Sequence, residues 1–401
     1  MHCAPGGARG LFVDREVGLG GAASRVRSNV RLEQSETALT LVAEALPEVV
    51  LLVGIASHVV ELVGSAPVQD FQAIRKEHGA LRGLLHQDDP IRITALADEI
   101  RRECLGHEVA GTVEAIGAQC KDFKVGDRVI IGMRYKCGRC RYCLSAHENL
   151  CERRPAPPNL RKKDGTVVTR WNVGGFAQYV SVPAYMTFKI PDGISMEEAS
   201  VVGCRVTTAY NAVKHRGKLQ PNESALVIGC GGIGLNTIQF LKCFGAYPII
   251  AVDITEDKLA AAKSFGATHT INASAEDPVK AVIKLTSGGV DKAFEAIGNA
   301  KTSDQIIQAT RPGGTATIIG GLGSGPFTIS SGNFVTREIT ITGVSSRQAN
   351  DVDEVFQMAQ QGRIELRSLI TQSYRYEQIN EALADLEHGK LRMAVSLWNS
   401  E

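Results

Sequence analysis

Ala225-Leu226-Val227-Ile228-Gly229-Cys230-Gly231-Gly232-Ile233-Gly234 is a short apolar strand pattern that breaks into G-x-G-x-x-G, and Leu235 to Phe244 continues it with helical periodicity. A lone G-x-G-x-x-G is weak, but one placed between a strand and a helix is the context a dinucleotide fingerprint requires. Gly229 permits the tight turn, Gly231 lets the backbone approach a pyrophosphate, and Gly234 lets the helix pack closely on the strand. Gly232 and Ile233 lie inside the same motif, at the end of the helix that faces the anion. Asp253 closes the run Ile249-Ile250-Ala251-Val252-Asp253, 19 residues beyond Gly234. A carboxylate there hydrogen-bonds a ribose diol. It also repels the extra phosphate of NADP, by about 4 kcal/mol for a unit charge near 4 Å at an effective dielectric of 20. The motif therefore favours NAD.

Outward from that stretch, strand-like runs alternate with helical patterns from about 190 to 325: Ala225 to Ile228, Ile249 to Val252, Lys292 to Glu295 and Thr315 to Ile319. This alternation predicts an α/β, doubly wound parallel sheet. Residues 104–190 are β-rich, with runs at Glu108 to Ile116, Phe123 to Ile131 and Phe176 to Val182. The tail adds a strand pattern at Ile339 to Val344 and helix patterns at Val352 to Gln361 and Tyr376 to Leu386. Residues 1 to about 100 have a different texture, Ala-, Leu-, Val- and Arg-rich, with helix-compatible runs such as Ser35 to Leu46 and few strand alternations. The expected division is 1–100 as an atypical N-terminal segment, 101–190 as a β-rich domain, 191–328 as the NAD-binding domain, and 329–401 as a tail of further strand and helix patterns.

Cys137, Cys140, Cys143 and Cys151 stand as C-x2-C-x2-C-x7-C. Four thiolates close a tetrahedral zinc shell and leave no position for substrate, so the role predicted is structural. Closely spaced cysteines also serve iron-sulfur clusters, which is the competing reading. The remaining six of the ten cysteines are scattered, a pattern of metal binding rather than of a disulfide framework.

At 401 residues the chain is long enough for two domains. Lys plus Arg number 44 against 43 Asp plus Glu, so no general field pulls the chain to nucleic acid. The most apolar stretch, Val49 to Val63, has 15 residues and carries His58 and Glu61, whereas a membrane span needs about 20. With no secretory pattern in its first 30 residues, the chain is expected in the cytoplasm.

Gly106-His107-Glu108 opens the β-rich region, and Cys204 lies in Gly203-Cys204-Arg205-Val206-Thr207-Thr208-Ala209-Tyr210. Each alone is bland. In combination with Gly126-Asp127-Arg128-Val129, the four-cysteine lobe, the Gly229 fingerprint, Asp253 with Lys258, and Arg311-Pro312-Gly313-Gly314, they resemble the zinc-dependent medium-chain alcohol dehydrogenase family from about Leu105 to Trp398. The resemblance implies a GroES-like β-barrel catalytic domain beside a Rossmann domain, a catalytic zinc as well as a structural one, NAD, and hydride transfer between an alcohol and the nicotinamide ring. It implies that His107 and Cys204 ligate the catalytic zinc, with Glu108 as the neighbouring carboxylate. It also implies that Thr208 is a nicotinamide-side contact, Asp253 and Lys258 are ribose contacts, and Arg392 is a pyrophosphate contact. The implied partners are a small alcohol or carbonyl substrate and further copies of the chain, in a dimer or tetramer.

In one place the chain departs from the family. The family's first catalytic ligand comes from Gly-x-Cys-x-(Ser/Thr)-Asp-x-His, and the matching stretch here is Gly79 to His86, with Leu81 at the thiolate position and Gly83 at the hydroxyl. Only His86 matches, as a relay histidine. Three accounts stay open: an N-terminal replacement with an altered site, a third ligand from His86 or Cys104, or a first hundred residues read in a shifted frame. Two other functions remain beside the first: a zinc-independent quinone or enoyl reductase of the same fold, and an NAD-binding protein without turnover.

Overall fold

The computed structural model describes residues 12–13, 50–60, 103–104, 106–117, 120–155, 160–161, 167–170, 173–175, 177, 179–320, 331–375, 378–387 and 394–397. Its centre is a six-stranded parallel sheet in the order His269–Asn272, Ile249–Asp253, Ala225–Ile228, Val290–Glu295, Thr310–Ile318, Thr340–Gly343. The first strand in sequence lies inside, with two strands stacked to one side and three to the other. The strand order thus reverses beside Ala225–Ile228, which opens a crevice at the carboxyl ends of the strands.

Period-two geometry divides the apolar residues between the two faces. Ala225, Val227, Ile249 and Ala251 pack with Leu235, Ile238 and Leu241 of the helix Gly232–Cys243 on one face. Leu226, Ile228, Ile250 and Val252 pack with Val282, Ile306 and Ile307 on the other. Both faces are covered, which is why these strands read as continuous apolar runs rather than alternating ones.

A seven-stranded sheet forms the second body, in the order Gln372–Arg375, Ala394–Leu397, Val50–Val60, Val109–Ile116, Arg128–Ile131, Thr187–Lys189, with Tyr179–Pro183 pairing to Val50–Val60. Its core holds Val109, Val113, Val129, Ile131, Val180, Val182 and Met186. The last two strands of the chain lie in this sheet. Ala394–Leu397 runs antiparallel to Val50–Val60, so the tail joins this sheet after the parallel sheet is complete.

The strand Val50–Val60 corrects the helix-compatible reading of the first hundred residues. It pairs antiparallel with Val109–Ile116, Tyr179–Pro183 and Ala394–Leu397. A short continuous apolar run does not distinguish a buried strand from a helix segment by its period. The pairing partners decide it, and they come from across the chain. The run Ser35 to Leu46 lies outside the described residues. Among the described residues, no helix is long and apolar enough to cross a membrane.

The two bodies are joined through a short helical path. Ser195 caps Met196–Ser200 in a capping box, accepting from the Glu198 amide at 3.2 Å while Glu198 accepts from the Ser195 amide at 2.9 Å. The chain turns through Val201–Gly203 and enters the helix Arg205–Asn211. Val206, Ala209, Tyr210 and Val213 then pack into the core shared with Phe240, Val355 and Phe356. Cys204 is the residue at that turn.

Candidate active site and metal lobe

The metal lobe is local in sequence and closes as the cysteine spacing predicts. The four sulfurs of Cys137, Cys140, Cys143 and Cys151 all lie within 4.8 Å of one another. Cys140 Sγ is 3.5 Å from Cys143 Sγ and 3.9 Å from Cys151 Sγ, and Cys137 Sγ is 4.0 Å from Cys143 Sγ. A zinc–sulfur bond of about 2.3 Å gives a tetrahedron with edges of about 3.8 Å, so the spacing fits one ion. An iron-sulfur cluster places several atoms between its cysteines and needs a wider shell.

Backbone amides prepare this shell. The Cys140 amide donates to Cys137 Sγ at 3.3 Å, and the Cys137 amide donates to Cys151 Sγ at 3.3 Å. The Arg139 amide, ahead of that of Cys140, holds the Cys137 thiol below its ordinary value. The Cys143 amide, first among several contacts, pushes the Cys140 thiol down to about 6. Hydrogen bonds to sulfur favour the thiolate, which is the form a metal takes.

A second constellation forms where the two bodies meet. His107 and Glu108 immediately precede the barrel strand Val109–Ile116, and both are buried. Glu108 reaches across to the turn at Cys204. Its Oε1 accepts from the Arg205 amide at 2.9 Å, and its Oε2 lies 3.2 Å from Arg205 Nε in an ion pair that is 6 % exposed on the arginine side and 0 % on the glutamate side. Glu108 thereby fixes the backbone directly after Cys204. Cys204 Sγ contacts Met133 Sδ at 4.0 Å, and the Thr208 amide donates to the Cys204 carbonyl at 2.8 Å. An imidazole and a thiolate are donors that suit zinc, and the Glu108–Arg205 pair holds the backbone next to Cys204.

Among the described residues, the lobe cysteines are the one group of three or more metal-binding side chains drawn together. Glu108 instead meets Arg205, the residue after Cys204, and His107 is its neighbour in the chain. His86 and Arg392 lie outside the described residues. Cys104 lies in a two-residue strand whose backbone pairs with Arg170.

The fingerprint has the geometry of a dinucleotide turn. Gly229 adopts φ +97°, a left-handed conformation that favours glycine. A Cβ on Gly234 would stand 1.7 Å from the Gly229 carbonyl oxygen, whereas one on Gly231 would meet nothing within 4 Å. The first contact is helix against strand. The second position is open space where a ligand can approach. Gly232 and Ile233 form the first turn of the helix Gly232–Cys243 and are half-buried.

Asp253 stands at the end of its strand, buried. Its Oδ2 accepts from the Cys230 amide at 2.8 Å and its Oδ1 from the Ile254 amide at 2.8 Å. It ties the glycine turn to the neighbouring strand; Oδ1 also accepts from the Thr255 amide at 3.2 Å, and Oδ2, with one donor, retains a lone pair for a ribose hydroxyl. Lys258, half-buried on the helix Glu256–Phe265, is close enough for its charge to act on Cys230.

Several participants escaped the sequence reading. Arg205 was visible as a charge beside Cys204 in an otherwise apolar and threonine-rich segment, but its carboxylate partner is 97 residues away. Met133, Arg134, Glu148 and Arg347 carry no local pattern that marks them. Only the fold brings Arg134 to Ser345, with its Nη2 donating to Ser345 Oγ at 3.1 Å.

Comparison with known proteins agrees with this architecture. Residues 86–192 match the family described as alcohol dehydrogenase GroES-like domain, and residues 232–361 match the one described as zinc-binding dehydrogenase. An alcohol dehydrogenase of Geobacillus stearothermophilus is 34% identical over 293 residues, covering 73% of this chain and 81% of that protein. A sorbitol dehydrogenase of Bacillus subtilis (strain 168) is 33% identical over 280 residues, covering 70% of this chain and 76% of that protein. A solved NAD-dependent alcohol dehydrogenase superposes with a TM-score of 0.69 at 26% identity, covering 88% of this chain and 93% of the other.

Proposed function

The chain belongs to the zinc-dependent medium-chain alcohol dehydrogenase family, and from that premise we propose that it is an NAD-dependent zinc oxidoreductase that interconverts alcohols with aldehydes or ketones. The observation that carries this reading is the junction at which buried Glu108, next to His107, grips the backbone amide and guanidinium of Arg205, next to Cys204. A barrel element and an interdomain turn are held together there, and each presents one zinc donor.

His107 and Cys204 are the residues that would hold the catalytic zinc, with a further ligand from the part of the chain before residue 106; Cys137, Cys140, Cys143 and Cys151 would hold the structural one. When bound, zinc polarises the substrate oxygen and NAD accepts the hydride. The protein's own part is positional. Glu108 neutralises Arg205 and orients the Cys204 turn. The Gly229–Gly234 turn and the first turn of Gly232–Cys243 receive the pyrophosphate, Asp253 and Lys258 the adenosine ribose, Thr208 the nicotinamide side and Arg392 the pyrophosphate. His86 stands as the proton-relay histidine. We also propose the division into an N-terminal segment 1–100, a GroES-like catalytic domain 101–190, an NAD-binding domain 191–328 and a C-terminal return to the catalytic domain 329–401, with a cytoplasmic homo-oligomer, dimer or tetramer, as the assembly.

Zinc content by elemental mass spectrometry, on protein of confirmed intact mass, tests the reading. About two ions per chain are expected, together with NAD reduction by a primary or secondary alcohol. A content of about one, with Cys204→Ser unchanged in zinc, would remove the catalytic site from the proposal.

A further inference from the structure

Two arginines that belong to no ligand set stand beside Cys204. Arg347, buried in the loop after the edge strand Thr340–Gly343, has its guanidinium over the Phe188 ring at 4.3 Å and its Nη1 3.8 Å from Glu148 Oε1. Glu148 also takes Lys136 at 3.0 Å, so one carboxylate serves two cations. Arg134 is half-buried, directly after Met133, whose sulfur touches Cys204.

Arg134 is the unusual one. Its Nη2 donates to the neutral Ser345 hydroxyl, its Nε is buried with no hydrogen-bond partner, and among the described residues no carboxylate lies within ion-pair distance of it. A second cation, Arg154, lies within electrostatic reach and adds repulsion. A guanidinium withdrawn from water without an anion is costly, and its planar donors match a carboxylate or phosphate.

Arg134 spans the two bodies at this point, from the barrel segment after Arg128–Ile131 to the loop after the edge strand Thr340–Gly343. We propose that Arg134 forms an anion subsite of the substrate cleft, so that the preferred alcohols of this protein carry a carboxylate or phosphate remote from the reacting carbinol carbon. The proposal rests on the reading of His107 and Cys204 as the reacting centre. Arg347, which pairs with Glu148 and stacks on Phe188, is the wall of the subsite.

The test uses zinc-loaded protein with NAD and a ladder of ω-hydroxy carboxylates, each compared with its own primary amide, and a parallel ladder of ω-hydroxyalkyl phosphates compared with the corresponding diols. At one chain length the wild type is expected to prefer an anion over its neutral partner by about tenfold in kcat/KM, the discrimination one charge-assisted hydrogen bond supports. The two ladders tell carboxylate from phosphate. Arg134→Gln is expected to collapse the preference through KM, and Arg134→Lys to retain part of it. Equilibrium binding of inorganic phosphate and of succinate to wild type and Arg134→Gln gives a readout without turnover. Alcohol oxidation with no anion preference in the wild type, or a preference that survives Arg134→Gln, overturns the subsite and leaves the proposed function standing. Anion binding that depends on Arg134 without oxidation of any alcohol supports the subsite and overturns the proposed function.

Discussion

Gly231 and Gly234 are three residues apart and separate binding from folding. Alanine at 234 must displace the Gly229 carbonyl from a 1.7 Å contact, which pushes the helix off its strand. Overpacking of this kind costs about 1 to 3 kcal/mol, so Gly234→Ala should unfold at lower denaturant. Alanine at 231 meets no protein atom within 4 Å, so Gly231→Ala should keep the wild-type midpoint and weaken NAD binding, as titration of the cofactor will read. Loss of stability in both variants would show that the open space at 231 is not a ligand position. Glu108 bears on stability more heavily. Glu108→Gln removes the charge that pairs with the buried Arg205 guanidinium, and breaking such a pair costs about 3 to 5 kcal/mol. A variant as stable as wild type in chemical denaturation would mean that water reaches the arginine.

Glu295 ends the strand Val290–Glu295. Its Oε1 accepts from the amides of Ile297 and Gly298 and from the Thr302 hydroxyl, while Oε2 is buried without a partner. Burial, the largest influence, pushes its carboxyl above the ordinary carboxylate value despite those donors. The sign follows from linkage. A folded state that holds its proton more tightly than the unfolded chain gains stability as pH falls and loses it as pH rises through the folded pKa. Glu295→Gln, which keeps an acceptor and removes the charge, should therefore gain on wild type as pH rises from the ordinary carboxylate value through the raised folded one. Parallel stability curves across that range would refute the assignment.

At the scale of elements, the lobe from Cys137 to Cys151 has little apolar content of its own. Its helix Arg141–Leu144 has four residues and no buried one, and Leu144 is exposed. Its order comes from sulfur and from neighbours: Asn149 Nδ2 donates to the Ser345 carbonyl at 2.8 Å, and Lys136 pairs with Glu148. Cys151→Ser should lower zinc by about one ion per chain and loosen the protection of 137–151 in hydrogen exchange, while the parallel sheet retains its protection. Because Ser345 also meets Arg134, the loosening should extend into the loop after Thr340–Gly343. Protection confined to its wild-type pattern would show that the lobe orders itself without metal.

At the scale of the whole molecule, NAD binds the folded form through residues from several strands and should stabilise it by mass action, by about 2.7 kcal/mol at a hundred times Kd. A rise of the thermal midpoint with NAD that NADP does not produce would agree with Asp253 at the ribose; equal shifts would move the selectivity elsewhere.

Local sequence sufficed for the parts that fold around their own neighbours. The strand Ala225–Ile228, the glycine turn, the carboxylate closing Ile249–Asp253 and the four-cysteine lobe were legible because each sets its geometry within a few residues of itself. The central strands announced themselves as apolar runs because helices cover both faces of the sheet. The tertiary structure alone decided the rest. Val50–Val60 became a strand through partners at 109–116, 179–183 and 394–397. Glu108 found its ion-pair partner in Arg205, and Arg134 its hydrogen-bond partner in a loop some 200 residues away. Long-range pairing and buried charge depend on what the folded chain brings near, and no local period encodes that.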